Sequence, residues 1–162
     1  MNLKDRIEGL SKVKSELYKK DFLLTWEKKE QDLKIVLEVA AILKEMRNQN
    51  ISPRVFDSGL AISNFRDNST RTRFSFASAS NLLGLAVQDL DEEKSQIAHG
   101  ETVRETANMI SFMSDFIGIR DDIFLGEGNK YMREVGAALD EGFEKGVLPS
   151  RPGIVNLQCD MD

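Results

Sequence analysis

Leu60-Ala61-Ile62-Ser63-Asn64-Phe65-Arg66-Asp67-Asn68-Ser69-Thr70-Arg71-Thr72-Arg73 changes character halfway along. Its first six residues are a short, mostly apolar run of β-strand composition, bounded by polar turn residues. From Arg71 to Leu83 the pattern becomes helical, and Gly84 follows where a helix would end on a residue that tolerates positive φ. A strand that hands over directly to a helix is the first half of a β-α-β unit, the building block of parallel sheets.

The same alternation continues along the chain. Candidate strands lie at 60–65, 85–90, 116–120 and 154–157, separated by helical patterns at 71–83, 102–115 and 130–145. Gly126, Gly128 and Gly136 weaken the start of the last helix. The expected fold is a three-layer α/β/α domain with a mostly parallel four-stranded sheet in the order 2-1-3-4. Crossovers in such a sheet are right-handed. Upstream, residues 3–19 and 29–48 read as two helices that form a helical N-terminal segment (1–50) before the α/β core (58–162). In the second helix Leu33, Val36, Leu37, Ala40, Leu43 and Met46 recur at spacings of three and four, and are expected to face the core.

Open parallel sheets bind ligands beyond the carboxyl ends of their strands. Three polar segments occupy that rim: 67–73 after the first strand, 91–101 after the second, and Arg120-Asp121-Asp122 after the third. In the first, the opening turn of a helix offers backbone amides and a dipole to an anion. Ser69, Thr70 and Thr72 add hydroxyls, and Arg71 adds a planar fork matched to two phosphate oxygens. Charge-assisted hydrogen bonds contribute roughly 1.5 to 3 kcal/mol each, so three or four would hold a small phosphate ligand in the micromolar to millimolar range. The competing reading makes Ser69 or Thr70 a simple N-cap, with Arg71 and Arg73 solvated. For Arg120, the competing reading is an ion pair with Asp121 or Asp122.

Bulk properties narrow the partners. With 162 residues, a net charge of −5, 11 Gly and 3 Pro, the composition is that of an ordinary folded domain. An acidic chain lacks the broad basic surface that nucleic acid binding needs, so any anion site is local. No apolar run reaches the roughly 18 residues of a membrane span, and residues 1–14 have no signal-peptide core, so no membrane partner and a cytoplasmic location are expected. One Cys and one His, at Cys159 and His99, make neither an internal disulfide nor a structural zinc site. No metal site is expected.

Phe65-x-x-x-Ser69-Thr70-Arg71-Thr72-Arg73 resembles the F-x-x-x-S-T-R-T-R signature of the aspartate and ornithine carbamoyltransferase superfamily. Ser95-Gln96-Ile97-Ala98-His99-Gly100-Glu101-Thr102 is similar to that family's S-Q-I-G-H-K-E-S loop. Phe116-Ile117-Gly118-Ile119-Arg120 is similar to its third strand, which ends in a ligand arginine. The likeness runs over roughly residues 20–160. It implies that Ser69, Thr70, Arg71 and Thr72 bind the phosphate of carbamoyl phosphate, and that Arg120 contacts its carbamoyl oxygen and phosphate. Arg71 and Arg120 would then be the catalytic groups of a transferase that moves a carbamoyl group to an amine of an amino acid or related acceptor, with no cofactor. It also implies a homotrimer in which Gln96 and His99 reach a neighbouring subunit's site.

Two departures qualify the resemblance. Ornithine-type relatives carry lysine where Gly100 stands and aspartate-type relatives carry lysine where His99 stands, so the acceptor class is open. Relatives also place an H-P-x-Q motif after the fourth strand and continue into a second, amino-acid-binding domain. Neither is found in this sequence. The chain therefore reads as the carbamoyl-phosphate-binding half of such a protein, a fragment expected to lack transferase activity alone. The alternatives are a non-catalytic module that binds a phosphorylated metabolite and a protein-interaction module.

Overall fold

A computed structural model describes residues 2–159. Its elements are α1 (Leu3–Ser11), α2 (Glu30–Asn48), β1 (Leu60–Phe65), α3 (Arg71–Leu83), β2 (Ala86–Asp89), α4 (Val103–Ser111), β3 (Phe116–Arg120), α5 (Glu127–Glu144) and β4 (Gly153–Gln158). Short 3₁₀ turns at Thr25–Glu27, Glu92–Lys94 and Gln96–His99 sit in the connections. All strand pairs are parallel and the order is β2-β1-β3-β4, as the sequence predicts.

Burial explains why β1 and β3 are central. Five of the six β1 residues are buried, as are the three middle residues of β3, which is the near-continuous burial expected of strands covered on both faces. Ile117 and Ile119 point to one face, where they join Ile62, Ile154, Met132, Val135 and Leu139 in the main core under α4 and α5. Each such side chain contributes about 1.5 to 3 kcal/mol on burial. Gly118, between those two isoleucines, faces the other way: a Cβ there would lie 2.6 Å from Phe76 of α3. Thus α3 covers the second face, and the layers are α/β/α.

The N-terminal helices differ from expectation. α1 ends at Ser11 rather than running to Lys19, because the following polar groups find partners on α2 instead of helical ones. The Ser15 hydroxyl and the Glu16 amide both donate to Asp32 Oδ1, at 3.3 and 3.2 Å, and Lys19 adopts a φ of 56°. α2 is peripheral rather than core. Within it only Asp32 and Ile42 are buried, and Leu37 is 71% exposed. The apolar periodicity was real, but the sheet is already covered by α3, α4 and α5, and α2 packs beside α1 instead.

α5 begins at Glu127, three residues earlier than its glycines suggest, since Gly128 has a packing reason that outweighs its helix penalty. Its Cα approaches the turn after β3 so closely that a Cβ would lie 2.0 Å from the Asp121 carbonyl oxygen. On the opposite edge, Asp21 ties the N-terminal segment to β4. It accepts two bonds from Arg151, at 2.7 and 2.6 Å, and one from the Ile154 amide at 2.9 Å.

Two stability measurements check this account. Gly128→Ala is expected to lower the urea midpoint by the equivalent of about 2 kcal/mol or more, because backbone must move. Arg151→Ala leaves Asp21, 12% exposed, without its cation, and should cost about 3 kcal/mol. A midpoint unchanged in either variant contradicts the packing described.

Candidate functional site

The carboxyl ends of β1 and β3 and the start of α3 enclose a hollow of about 210 Å³. It is lined by Asn68, Ser69, Thr70, Arg71, Thr72, Arg120 and Gln158. Five of these seven, Ser69, Thr70, Arg71, Thr72 and Arg120, are the residues predicted from sequence to hold a phosphate, brought together from the ends of two strands, at Phe65 and Arg120. Thr70 is the N-cap of α3, yet no side chain hydrogen bond caps that helix. The simple N-cap reading therefore does not hold: the hydroxyls are not spent on the helix end, and the first amides of α3 keep their capacity for an anion.

Arg120 is 13% exposed and is fixed from three sides. Its Nη1 donates to the Asn68 carbonyl at 3.2 Å, and its Nη2 lies 3.3 Å from Asp67 Oδ2 and 4.0 Å from Asp122 Oδ2. The ion pair foreseen for it exists with Asp122, but the nearer carboxylate is Asp67, and Asp121 is engaged elsewhere. Arg120 Nε and Asp67 Oδ1 are both buried without a hydrogen-bond partner. Unmet donors and acceptors of this kind are costly in a closed interior.

The two other arginines of the turn are structural. Arg73 pairs with Asp89 of β2 and stacks 4.5 Å from the Phe65 ring. Arg66 pairs with Glu92 at 3.0 Å and Asp121 at 2.7 Å, and lies 4.2 Å over the ring of Tyr131. The Tyr131 hydroxyl accepts from Asn64 at 2.9 Å, and burial, reinforced by the nearby Glu92 charge, pushes its pKa up to about 12. It is therefore a neutral spacer at physiological pH. Arg71, by contrast, is exposed at the mouth of the hollow.

Gln96 and His99 do not line this hollow. Both are exposed on the 3₁₀ turn between β2 and α4, where Ser95 caps the Ile97 amide and Gly100 closes the turn at φ 95°. Sequence reasoning missed Gln158 and Asp67. Asp67 lies inside the quoted signature at a variable position. Gln158 belongs to β4 and enters the rim through a register shift at Ile119/Arg120, which pairs Arg120 with Gln158. Among the described residues no helix is long and apolar enough to cross a membrane, and no group of three or more His, Cys, Asp or Glu is arranged to hold a metal.

Comparison with known proteins gives a consistent result. Residues 20–142 match the sequence model described as aspartate/ornithine carbamoyltransferase, carbamoyl-P binding domain. The chain is 70% identical over 156 residues to the Escherichia coli protein named "Putative carbamoyltransferase YgeW", covering 96% of this chain and 39% of that one. It is 38% identical over 98 residues to the aspartate carbamoyltransferase catalytic subunit of Brachyspira hyodysenteriae, covering 59% of this chain and 27% of that one. The chain thus spans about two-fifths or less of the length of these relatives. In fold it is similar to ornithine carbamoyltransferase from Pyrococcus furiosus, with a TM-score of 0.72 at 22% identity, over 88% of this chain and 41% of that one. It is also similar to the Trypanosoma cruzi aspartate transcarbamoylase solved in complex with carbamoyl phosphate, with a TM-score of 0.67 at 19% identity, over 86% and 38%. With its signature turn lining an open hollow and its family model matched over most of its length, the chain belongs to the aspartate/ornithine carbamoyltransferase family, in the part that forms the carbamoyl-phosphate-binding domain.

Proposed function

We propose that this chain binds carbamoyl phosphate in the hollow between the 67–73 turn and Arg120. In the whole protein it would deliver the carbamoyl group to an amine of an amino acid or related acceptor. The observation that carries this reading is the convergence of Ser69, Thr70, Arg71, Thr72 and Arg120 on one small concavity at an uncapped helix start.

The chemistry suits such a site. A neutral amine attacks the carbamoyl carbon and forms a C–N bond. The tetrahedral species then expels phosphate, which leaves with the C–O electron pair, and the amine nitrogen sheds its extra proton. Negative charge grows on the carbamoyl oxygen and on the departing phosphate. Fixed donors hold both without reorganising at the moment of reaction. Arg71 and the α3 amides face the phosphate, and Arg120 reaches the bridge between phosphate and carbamoyl oxygen.

The acceptor would enter from the side that a second domain closes, so these 162 residues alone bind but do not turn over. The exposed Gln96 and His99 turn is available to project into a neighbouring subunit, and a homotrimer with sites shared between subunits is the assembly we favour. The reading places the reaction in amino acid metabolism and in the cytoplasm.

Calorimetric titration of the chain with carbamoyl phosphate tests the binding claim. Wild type should bind in the micromolar to millimolar range, and Arg71→Ala should weaken binding about 10- to 100-fold, the equivalent of one charge-assisted pair. Equal binding by wild type and Arg71→Ala would remove the basis of the proposal. Separately, formation of any carbamoylated amino acid by this chain alone would contradict the assignment of turnover to the whole protein.

A further inference from the structure

Every other side chain lining the hollow suits an anion, either as a fixed cation or as a polar group that can turn a proton towards it: three hydroxyls, two guanidinium groups and the Asn68 amide. Gln158 differs because its amide is held in one orientation. Its Nε2 donates to Asp122 Oδ2 at 2.6 Å. A carboxylate only accepts, so that bond fixes which end of the amide faces Asp122 and leaves Oε1 as a hydrogen-bond acceptor. The backbone holds the residue as firmly. The Gln158 carbonyl accepts from the Asp121 amide at 3.0 Å, and the register shift sets Gln158 opposite Arg120.

An oriented acceptor beside an anion hole adds nothing to the binding of an ionised phosphate oxygen, which is itself only an acceptor. It suits a ligand that joins a phosphate to a primary amide. We infer that Gln158 is a specificity-determining residue of this hollow: its Oε1 accepts from the NH₂ group of a carbamoyl phosphate whose phosphate lies on the 69–72 turn. This deepens the function proposed above and rests on that reading. Asp122 is then a positioning residue that sets the amide and, 4.0 Å from Arg120, shares in balancing its charge.

Acetyl phosphate is the discriminating probe, because it replaces that NH₂ by a methyl group of similar size and keeps the phosphate and carbonyl. Dissociation constants are measured for carbamoyl phosphate, acetyl phosphate and inorganic phosphate with the wild-type chain, Gln158→Leu, Gln158→Met and Arg71→Ala. Wild type should prefer carbamoyl over acetyl phosphate by about 3- to 10-fold, the worth of one neutral hydrogen bond. Gln158→Leu and Gln158→Met should bring that ratio close to one while leaving inorganic phosphate affinity within about 2-fold, which also reports that the hollow remains folded. Equal affinity of wild type for the two acyl phosphates overturns the inference without recourse to any variant. So does a preference that survives in a Gln158 variant still binding phosphate. If wild type binds none of the three ligands, the carbamoyl phosphate reading itself fails. If it binds them, loses them in Arg71→Ala and yet shows no carbamoyl preference, only the role of Gln158 fails.

Discussion

A guanidinium group that is almost out of water has to be neutralised and hydrogen-bonded, and the rim of this domain is arranged around that requirement at Arg120. The side chain leaves the end of β3 and crosses to the turn after β1, where it finds the Asn68 carbonyl and the Asp67 carboxylate. Those contacts are what keep the 67–70 backbone beside the strand end and hold the start of α3 open towards the same space. Were Arg120 satisfied by Asp121, its immediate neighbour, its side chain would no longer hold the 67–68 part of the turn, and only the Arg66 amide on the Arg120 carbonyl and the Arg66–Asp121 pair would join the start of the turn to the end of β3. Asp121 is withdrawn from that role by Arg66, which it meets at 2.7 Å.

The arginines of the rim thereby divide their tasks. Arg66 joins the turn to the loop after β2 through Glu92, to the turn after β3 through Asp121, and to α5 through the face of Tyr131. Arg73 ties α3 back to β2 through Asp89. Both are spent on carboxylates and aromatic faces, where a guanidinium can stack and pair at once. Arg71 is left at the mouth of the hollow and Arg120 at its back. Through these pairs the acidic groups Asp89, Glu92 and Asp121 are each neutralised by an arginine, and none of the three lines the hollow.

How much of this was legible in the sequence follows from which interactions are local. The strand-to-helix handover at 60–73 and the hydroxyl-rich turn are written in short-range composition, and they appear as expected, as does the sheet order. The length of α1 was misjudged because its end depends on Asp32, a residue of the next helix that takes the Ser15 and Glu16 donors. The face of α2 was misjudged because periodicity reports that a helix has an apolar side, and not what remains for that side to cover. Gly128 read as a weakness when its function is close approach to Asp121. In the site, Arg120 was visible as a strand-end arginine, but its Asp67 partner and the entry of Gln158 depend on a turn geometry and a register shift that spacing does not reveal.

The balance of charge in the hollow has a consequence for how a ligand is held. Asp67 and Asp122 already offset part of the Arg120 charge, so an incoming dianion competes with two carboxylates rather than meeting a bare cation. That competition weakens ground-state binding of phosphate. It costs less when a ligand brings groups for the acceptors as well as for the donors, as an amide-bearing phosphate does. A hollow built from donors alone would favour any small anion of the right size. On the reading proposed for Gln158, compensating carboxylates beside an oriented amide would shift the preference towards a ligand whose two ends differ, and that asymmetry is what distinguishes carbamoyl phosphate from inorganic phosphate.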